Sequence, residues 1–212
     1  MSGGRMVFIV DDDESVRESL TALLETQGLN ALAFASAEAF LLGYQPIAPA
    51  CAVVDIRMPG MDGLALLEHL RSRGIALPVL VMTGHGDVPL AVRAMKAGAA
   101  DFIEKPYSNA TLLDSIGRAL AAAQAGQAVQ IDPDDTRTRI AGLTPRERDI
   151  LQQLVVGHPN KIIAYHLNIS PRTVEIHRAN VMKKMNADSL SHLVRMALGV
   201  GFTSGEGMPE AR

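Results

Sequence analysis

Five short apolar runs alternate with segments of helical period over the first 120 or so residues, and this alternation limits the folds open to the chain. The runs are 6–10, 30–35, 51–54, 78–82 and 101–103. Between them, Val16, Leu20, Leu23 and Leu24 recur at helical spacing over 14–27. Residues 37–42 predict a short helix; Leu64, Leu67 and Leu70 mark a third and 88–97 a fourth. Ser108 is placed to cap a fifth that reaches about residue 123. Gly28 and Gly98 stand where helices end. Continuous apolar strands with short connections predict a parallel sheet covered on both faces.

Sheets of that kind place function at the carboxyl ends of the strands, where strand order reverses. The polar residues delivered there are Asp11, Asp12 and Asp13, then Asp55, then Thr83, then Lys105. Carboxylates converging on one crevice repel each other unless a cation neutralises them. A hard divalent ion takes carboxylate oxygens plus water and leaves room for a phosphoryl group. Lys105 brings a positive charge and Thr83 a hydroxyl donor. The chemistry that uses such a set is phosphoryl transfer to a carboxylate. Taken singly, each residue has an ordinary explanation as a turn, a cap or a solvated surface group; the argument lies in four strand ends supplying them together.

Residues 124–139 contain Gly126, Pro133 and three aspartates without sustained periodicity, and are read as a linker. Beyond it the chain is helical. Thr144-Pro145-Arg146-Glu147 has the capping-box pattern. Ile150, Leu151, Leu154 and Val155 form one apolar face, and Gly157-His158-Pro159 ends the helix. Segments 160–167 and 170–185 give two helices joined by about three residues, a helix-turn-helix pattern. Val174, Val181 and Met185 form the core stripe of the second, while Arg172, Arg178, Lys183 and Lys184 occupy other faces. Ser189 caps a final helix to about 198, and the tail after Phe202 is expected to fray.

Charge divides along the same line. Residues 1–125 hold 9 Lys and Arg against 14 Asp and Glu, a net −5, whereas 139–212 hold 10 against 6, a net +4. The whole-chain value of −3 conceals a basic module able to meet a polyanion. The single cysteine, Cys51, excludes an internal disulfide and a cysteine-based zinc cluster. His158, His166, His177 and His192 lack a matching ligand set and are read as surface, packing or phosphate-contact residues. No Gly-x-x-x-x-Gly-Lys-Ser/Thr motif is present, so nucleotide binding is disfavoured. Apolar runs too short for a membrane span, and a start without a signal peptide, predict a cytoplasmic protein.

Val10-Asp11-Asp12-Asp13, the stretch from Asp55 through Arg57, Met58, Pro59 and Gly60 to Gly63, Thr83-Gly84-His85-Gly86 and Lys105-Pro106 resemble the receiver domain of two-component response regulators. Residues 143–147, 160–164 and 169–185 resemble the LuxR-type DNA-binding domain. Together they make the chain similar to NarL/FixJ-type response regulators. The resemblance implies an α/β flavodoxin-like receiver, with a parallel five-stranded sheet of order 2-1-3-4-5, over residues 1–124. It implies a linker over 125–139, an all-α helix-turn-helix domain over 140–205 and a tail over 206–212.

It further implies that Asp55 is the phosphoacceptor, and that Asp11, Asp12, Asp55 and the backbone carbonyl of Arg57 hold Mg²⁺ or Mn²⁺. Asp12 would be a direct ligand, and Asp13 a cap or turn residue. Thr83 and Lys105 would contact the phosphoryl group, with Phe102 as the aromatic switch. Glu175, Ile176 and Ala179 would face DNA bases, and Lys161, Arg172, Thr173, Arg178 and Lys183 its phosphates. The implied partners are a sensor histidine kinase, promoter DNA, RNA polymerase and, once phosphorylated, a second copy of the chain. The likeness runs nearest to members served by an oxygen-sensing haem kinase in nitrogen-fixation or microaerobic control. On this reading the chain catalyses nothing beyond phosphoryl transfer to Asp55 and its hydrolysis. An aspartyl-phosphate phosphatase is the competing enzyme reading. It would call for a second acid two residues after the nucleophile, where Arg57 stands. A protein-binding adaptor is the third.

Overall fold

In the computed structural model, residues 5–47, 49–84, 88–125 and 132–202 are described. They divide into two compact units, 1–85 with 97–130 and 86–96 with 131–212.

The first unit is built on a parallel sheet of order β2-β1-β3-β4-β5. Its strands are β1 (Met6–Val10), β2 (Asn30–Phe34), β3 (Ala50–Asp55), β4 (Val79–Thr83) and β5 (Asp101–Glu104). Side chains alternate across a strand, and the sheet uses both faces. Val7 and Ile9 join Cys51, Val53, Leu80, Met82 and Ile103 in one core, packed under Leu20 and Leu24 of α1 (Glu14–Thr26) and Leu112, Ile116 and Leu120 of α5 (Asn109–Ala125). Phe8 points the other way, into a ring cluster with Phe34, Phe40 and Tyr44 at centroid separations of 5.3–6.4 Å. Phe40 belongs to α2 (Ala37–Gly43); Leu66 and Leu70 of α3 (Gly63–Ser72) are likewise buried. Central β3 is buried at every position, whereas edge strand β2 is mostly open. That asymmetry is why β3 reads as an unbroken apolar run and β2 as a weak one.

The helix α4 (Val88–Lys96) falls in the second unit with α6 (Pro133–Ala141), α7 (Pro145–Val156), α8 (Asn160–Leu167), α9 (Pro171–Met185) and α10 (Leu190–Gly199). Ile150, Leu151, Leu154, Ile163, Val174, Val181, Met185 and Leu193 form its core. The Thr144–Glu147 capping box closes reciprocally at the start of α7, and Ser170 caps α9 through the amide of Thr173.

Part of the segment read as linker is structured. Residues 133–141 form α6, with Asp132 accepting from the amides of Asp134 and Asp135 and Pro133 in the first turn. Its apolar content is too low for periodicity to reveal it: Thr136 and Ile140 are its buried residues, and capping and i,i+3 and i,i+4 ion pairs support the rest. His85, Gly86 and Asp87, residues 126–131 and those beyond 202 lie outside the described residues.

Candidate functional site

The strand order reverses beside β1, and the residues leaving β1, β3 and β5 meet there. Asp11 is 1% and Asp55 8% exposed. Lys105 Nζ donates to Asp55 Oδ1 at 2.5 Å and to Asp11 Oδ2 at 3.2 Å, joining side chains 50 and 94 residues apart. The remaining oxygens are also engaged. Asp11 Oδ1 accepts from the amide of Asp13 at 2.9 Å, and Asp55 Oδ2 from the amide of Arg57 at 2.7 Å. Desolvation by burial raises the Asp11 carboxyl pKa, outweighing the amide of Asp13 and the charge of Lys105. Burial alone would lower Lys105, but its bond and ion pairs with Asp55 and Asp11 prevail and hold its pKa above the ordinary lysine value.

Asp11 and Asp55 meet in the crevice through Lys105. Asp12, in the bend that follows β1, is exposed. Asp13 is the N-cap of α1, accepting from the amide and hydroxyl of Ser15 at 2.8 and 2.7 Å. Among the described residues, no three His, Cys, Asp or Glu side chains converge into a closed metal cage. The oxygen-only donor set of Asp11, Asp55 and the Arg57 backbone still fits a hard cation, which completes its shell with water.

Thr83 is buried at the end of β4, its Oγ1 3.4 Å from the carbonyl of Gly84. Phe102 is half-buried on β5. Lys105 is steered by its own backbone, whose amide donates to the Thr83 carbonyl at 2.7 Å.

Two elements of this site were not read from the sequence. Arg17 donates one guanidinium N–H pair to the carbonyls of Asp11 and Asp12 at 2.8 and 2.9 Å, fixing the turn that presents both aspartates. Its signal was available, a basic residue in the first turn after an acidic run. Glu38 reaches the amide of Met61, 23 residues away, at 2.9 Å; no sequence spacing announces that bond.

In the helical unit, Glu175, Ile176 and Ala179 lie exposed on α9, with Ile176 56% open. Lys161, Arg172 and Lys183 are exposed as well. Thr173 is half-buried, its hydroxyl 2.8 Å from that of Ser170 in the cap. Arg178 donates to Asn160 Oδ1 at 2.7 Å and so fastens α9 to the start of α8. Lys184, counted from sequence among the surface cations, is tied to Glu147 Oε2 at 2.6 Å. That bond and the Thr144 amide lower the Glu147 pKa. His158 and His166 both donate from Nδ1 to Gln153 Oε1, at 2.7 and 2.8 Å, a packing role.

Residues 7–117 match the family described as response regulator receiver domain, and residues 141–197 match bacterial regulatory proteins of the luxR family. The chain belongs to the NarL/FixJ-type response regulators. It is 55% identical over 196 residues to the transcriptional regulatory protein FixJ of Azorhizobium caulinodans, covering 92% of each chain. It is 52% identical to the protein of the same name from Rhizobium meliloti, covering 92% of this chain and 96% of that one. The crystal structure of full-length FixJ from B. japonicum superposes with a TM-score of 0.54 at 44% identity, covering 95% of this chain and 98% of that one. This response regulator therefore carries a receiver and a LuxR-type DNA-binding domain, and acts in transcription control within a two-component system rather than as a classical enzyme. A regulator of this type works with a sensor kinase and with DNA. Among the described residues, no helix is long and apolar enough to cross a membrane.

Proposed function

We propose that Asp55 accepts a phosphoryl group from a phosphohistidine of the sensor kinase and that this switches promoter binding by the helical unit. The observation that carries the reading is Lys105 Nζ held between Asp55 Oδ1 and Asp11 Oδ2 at the carboxyl edge of the sheet. An Asp55 carboxylate oxygen attacks phosphorus, the bond from phosphorus to the donor imidazole nitrogen breaks, and that nitrogen keeps the electron pair and takes up a proton. Lys105 is positioned to follow the negative charge from the carboxylate to a phosphoryl oxygen. The Thr83 hydroxyl donates to another, and half-buried Phe102 turns into the space Thr83 leaves. Asp11, Asp12, Asp55 and the Arg57 carbonyl would hold Mg²⁺ or Mn²⁺, which supplies charge neutralisation for the transferred group. Hydrolysis of the acyl phosphate resets the site.

The phosphoryl group must interact differently with two conformers of the receiver, otherwise it shifts nothing. We assign the output to a homodimer that sets two α9 helices on half-sites about one helical turn of DNA apart. Glu175 accepts from a cytosine amino group, while Ile176 and Ala179 make apolar contacts with bases. Lys161, Arg172, Thr173, Arg178 and Lys183 meet phosphates. We further propose nitrogen-fixation or microaerobic genes as targets, an oxygen-sensing haem kinase as donor, RNA polymerase as the recipient of the output, and a cytoplasmic setting.

The decisive experiment incubates the protein with acetyl phosphate and Mg²⁺, then reads intact mass, sedimentation and DNA retention. One phosphoryl group per chain, faster sedimentation and tighter operator binding are expected. Identical sedimentation and operator affinity with and without the phosphoryl group would sink the switch.

A further inference from the structure

The loop that follows Asp55 is held from outside by a residue of another element. Residues 57–62 run between the end of β3 and the start of α3. Their first amide, that of Arg57, donates to Asp55 Oδ2 at 2.7 Å. At the far end, Asp62 caps α3 by accepting from the amide of Ala65 at 2.7 Å. Gly63 is pressed against the strand: its amide donates to the carbonyl of Ile56 at 3.0 Å, and a Cβ there would lie 2.3 Å from the carbonyl oxygen of Asp55. Both ends are thus anchored within the segment itself. The middle is anchored by Glu38, whose Oε1 accepts from the amide of Met61 at 2.9 Å.

The local chain is shaped for that bond. Gly60 adopts φ +76°, and a Cβ at Gly60 would stand 2.8 Å from the same Glu38 oxygen. Only glycine both takes this conformation without strain and leaves the carboxylate room to reach the next amide. The other end of the tether is stiff. Glu38 sits in the first turn of α2, capped by Ser36 through the amide of Ala39 and bolted to the sheet by fully buried Phe40. Phe40 packs against Phe8, Phe34 and Tyr44 at 5.3–5.6 Å. A carboxylate accepting a backbone N–H is a charge-assisted bond. Its direction is set by a helix that cannot drift from the sheet.

We propose that Glu38 is a positioning residue of the phosphoacceptor site: it holds the 57–62 loop through the Met61 amide, and so sets where the Arg57 backbone stands relative to Asp55. This rests on the reading of Asp55 as phosphoacceptor and adds a residue from outside the site. Glu38 touches neither the phosphoryl group nor the cation. Its effect reaches them through the loop whose first amide already holds Asp55.

The test compares wild type, Glu38→Ala and Glu38→Gln in the full chain. Glutamine keeps an oxygen able to accept from Met61, whereas alanine does not. Hydrogen exchange of the Met61 amide reads the tether, calorimetric titration with Mg²⁺ alone reads the loop's share in cation binding, and acetyl phosphate labelling reads Asp55. Glu38→Ala is expected to speed Met61 exchange, weaken Mg²⁺ binding and slow labelling, each by about three- to tenfold. Glu38→Gln recovers most of each, with thermal unfolding unchanged across the three. Wild-type Mg²⁺ affinity in Glu38→Ala, or a Glu38→Gln protein as impaired as Glu38→Ala, would overturn the proposal. Failure of wild type to take up label would instead overturn the phosphoacceptor reading. The exchange and Mg²⁺ arms still decide on Glu38 in that case.

Discussion

The two units handle charge in opposite ways. At the carboxyl edge of the sheet, Asp11 and Asp55 are taken out of water and balanced by one lysine, whose side chain is 31% exposed. In the helical unit, Lys161, Arg172 and Lys183 stay in solvent. The one carboxylate it buries among the described residues, Glu147, closes a helix cap and an ion pair with Lys184. A site that must change the chemistry of one side chain needs desolvated, mutually coupled charges. A surface that must meet a polyanion needs cations that keep their reach, since binding there comes from releasing counterions.

The sharpest way to break this contrast is Asp55→Asn, which is expected to abolish acetyl phosphate labelling while leaving the DNA affinity of the unphosphorylated chain as it was. Acid-resistant label on that variant, read by mass, would move the acceptor elsewhere. Next comes Leu154→Ala. Leu154 is fully buried in the helical core, and the cavity should cost about 2–5 kcal/mol in denaturant unfolding, confined to the transition of that unit. Lys105→Ala should cost the sheet unit about 1–3 kcal/mol, between the values for exposed and buried pairs, because it strands two covered carboxylates yet part of the lysine was open to water. If Lys105→Ala melts like wild type, the carboxylates are better solvated than their burial indicates.

A paired loss of Arg172 and Lys183 should reduce the salt dependence of DNA retention by about two in log–log slope, roughly one per phosphate contact, without changing sequence preference. Glu175→Ala, by contrast, should relax the preference at one base pair. The smallest effect is in pH. Lys105 has a raised pKa, so its stabilisation is complete below the unfolded lysine value and is lost as pH rises through the folded one. His158 is lowered, first by burial and then by neighbouring His166. Its contribution is therefore present above the unfolded histidine value and lost as pH falls through the folded one. Alkaline titration should weaken the sheet unit first and mild acid the helical unit first. Lys105→Ala and His158→Gln should flatten the respective limbs of the unfolding profile.

Much of this was legible because the determining interactions are periodic or local. The five strands follow from apolar runs, and the α7 and α9 starts from Thr144 with Glu147 and from Ser170. The convergence of Asp11, Asp55 and Lys105 follows from sheet topology, which brings consecutive strand ends to one edge whatever their separation in sequence. Helix α6 escaped because its stability comes from capping and ion pairs rather than an apolar stripe. Lys184 is the exposed cation its spacing predicts, and its bond to Glu147 went unread because that partner lies 37 residues earlier.

The sequence by itself determined the order of strands and helices, the polar residues at the strand ends and the charge division between the halves. Each of these is set by neighbours along the chain, through side-chain period, capping and turn chemistry. Only the tertiary structure decided that Asp12 is exposed while Asp11 is buried, that Lys105 lies between two carboxylates, that Arg178 bonds Asn160 and Lys184 bonds Glu147, and that Glu38 reaches Met61. Those outcomes depend on directions and distances between elements far apart in the chain, where competition for burial and for hydrogen-bond partners is settled by packing and leaves no periodic trace.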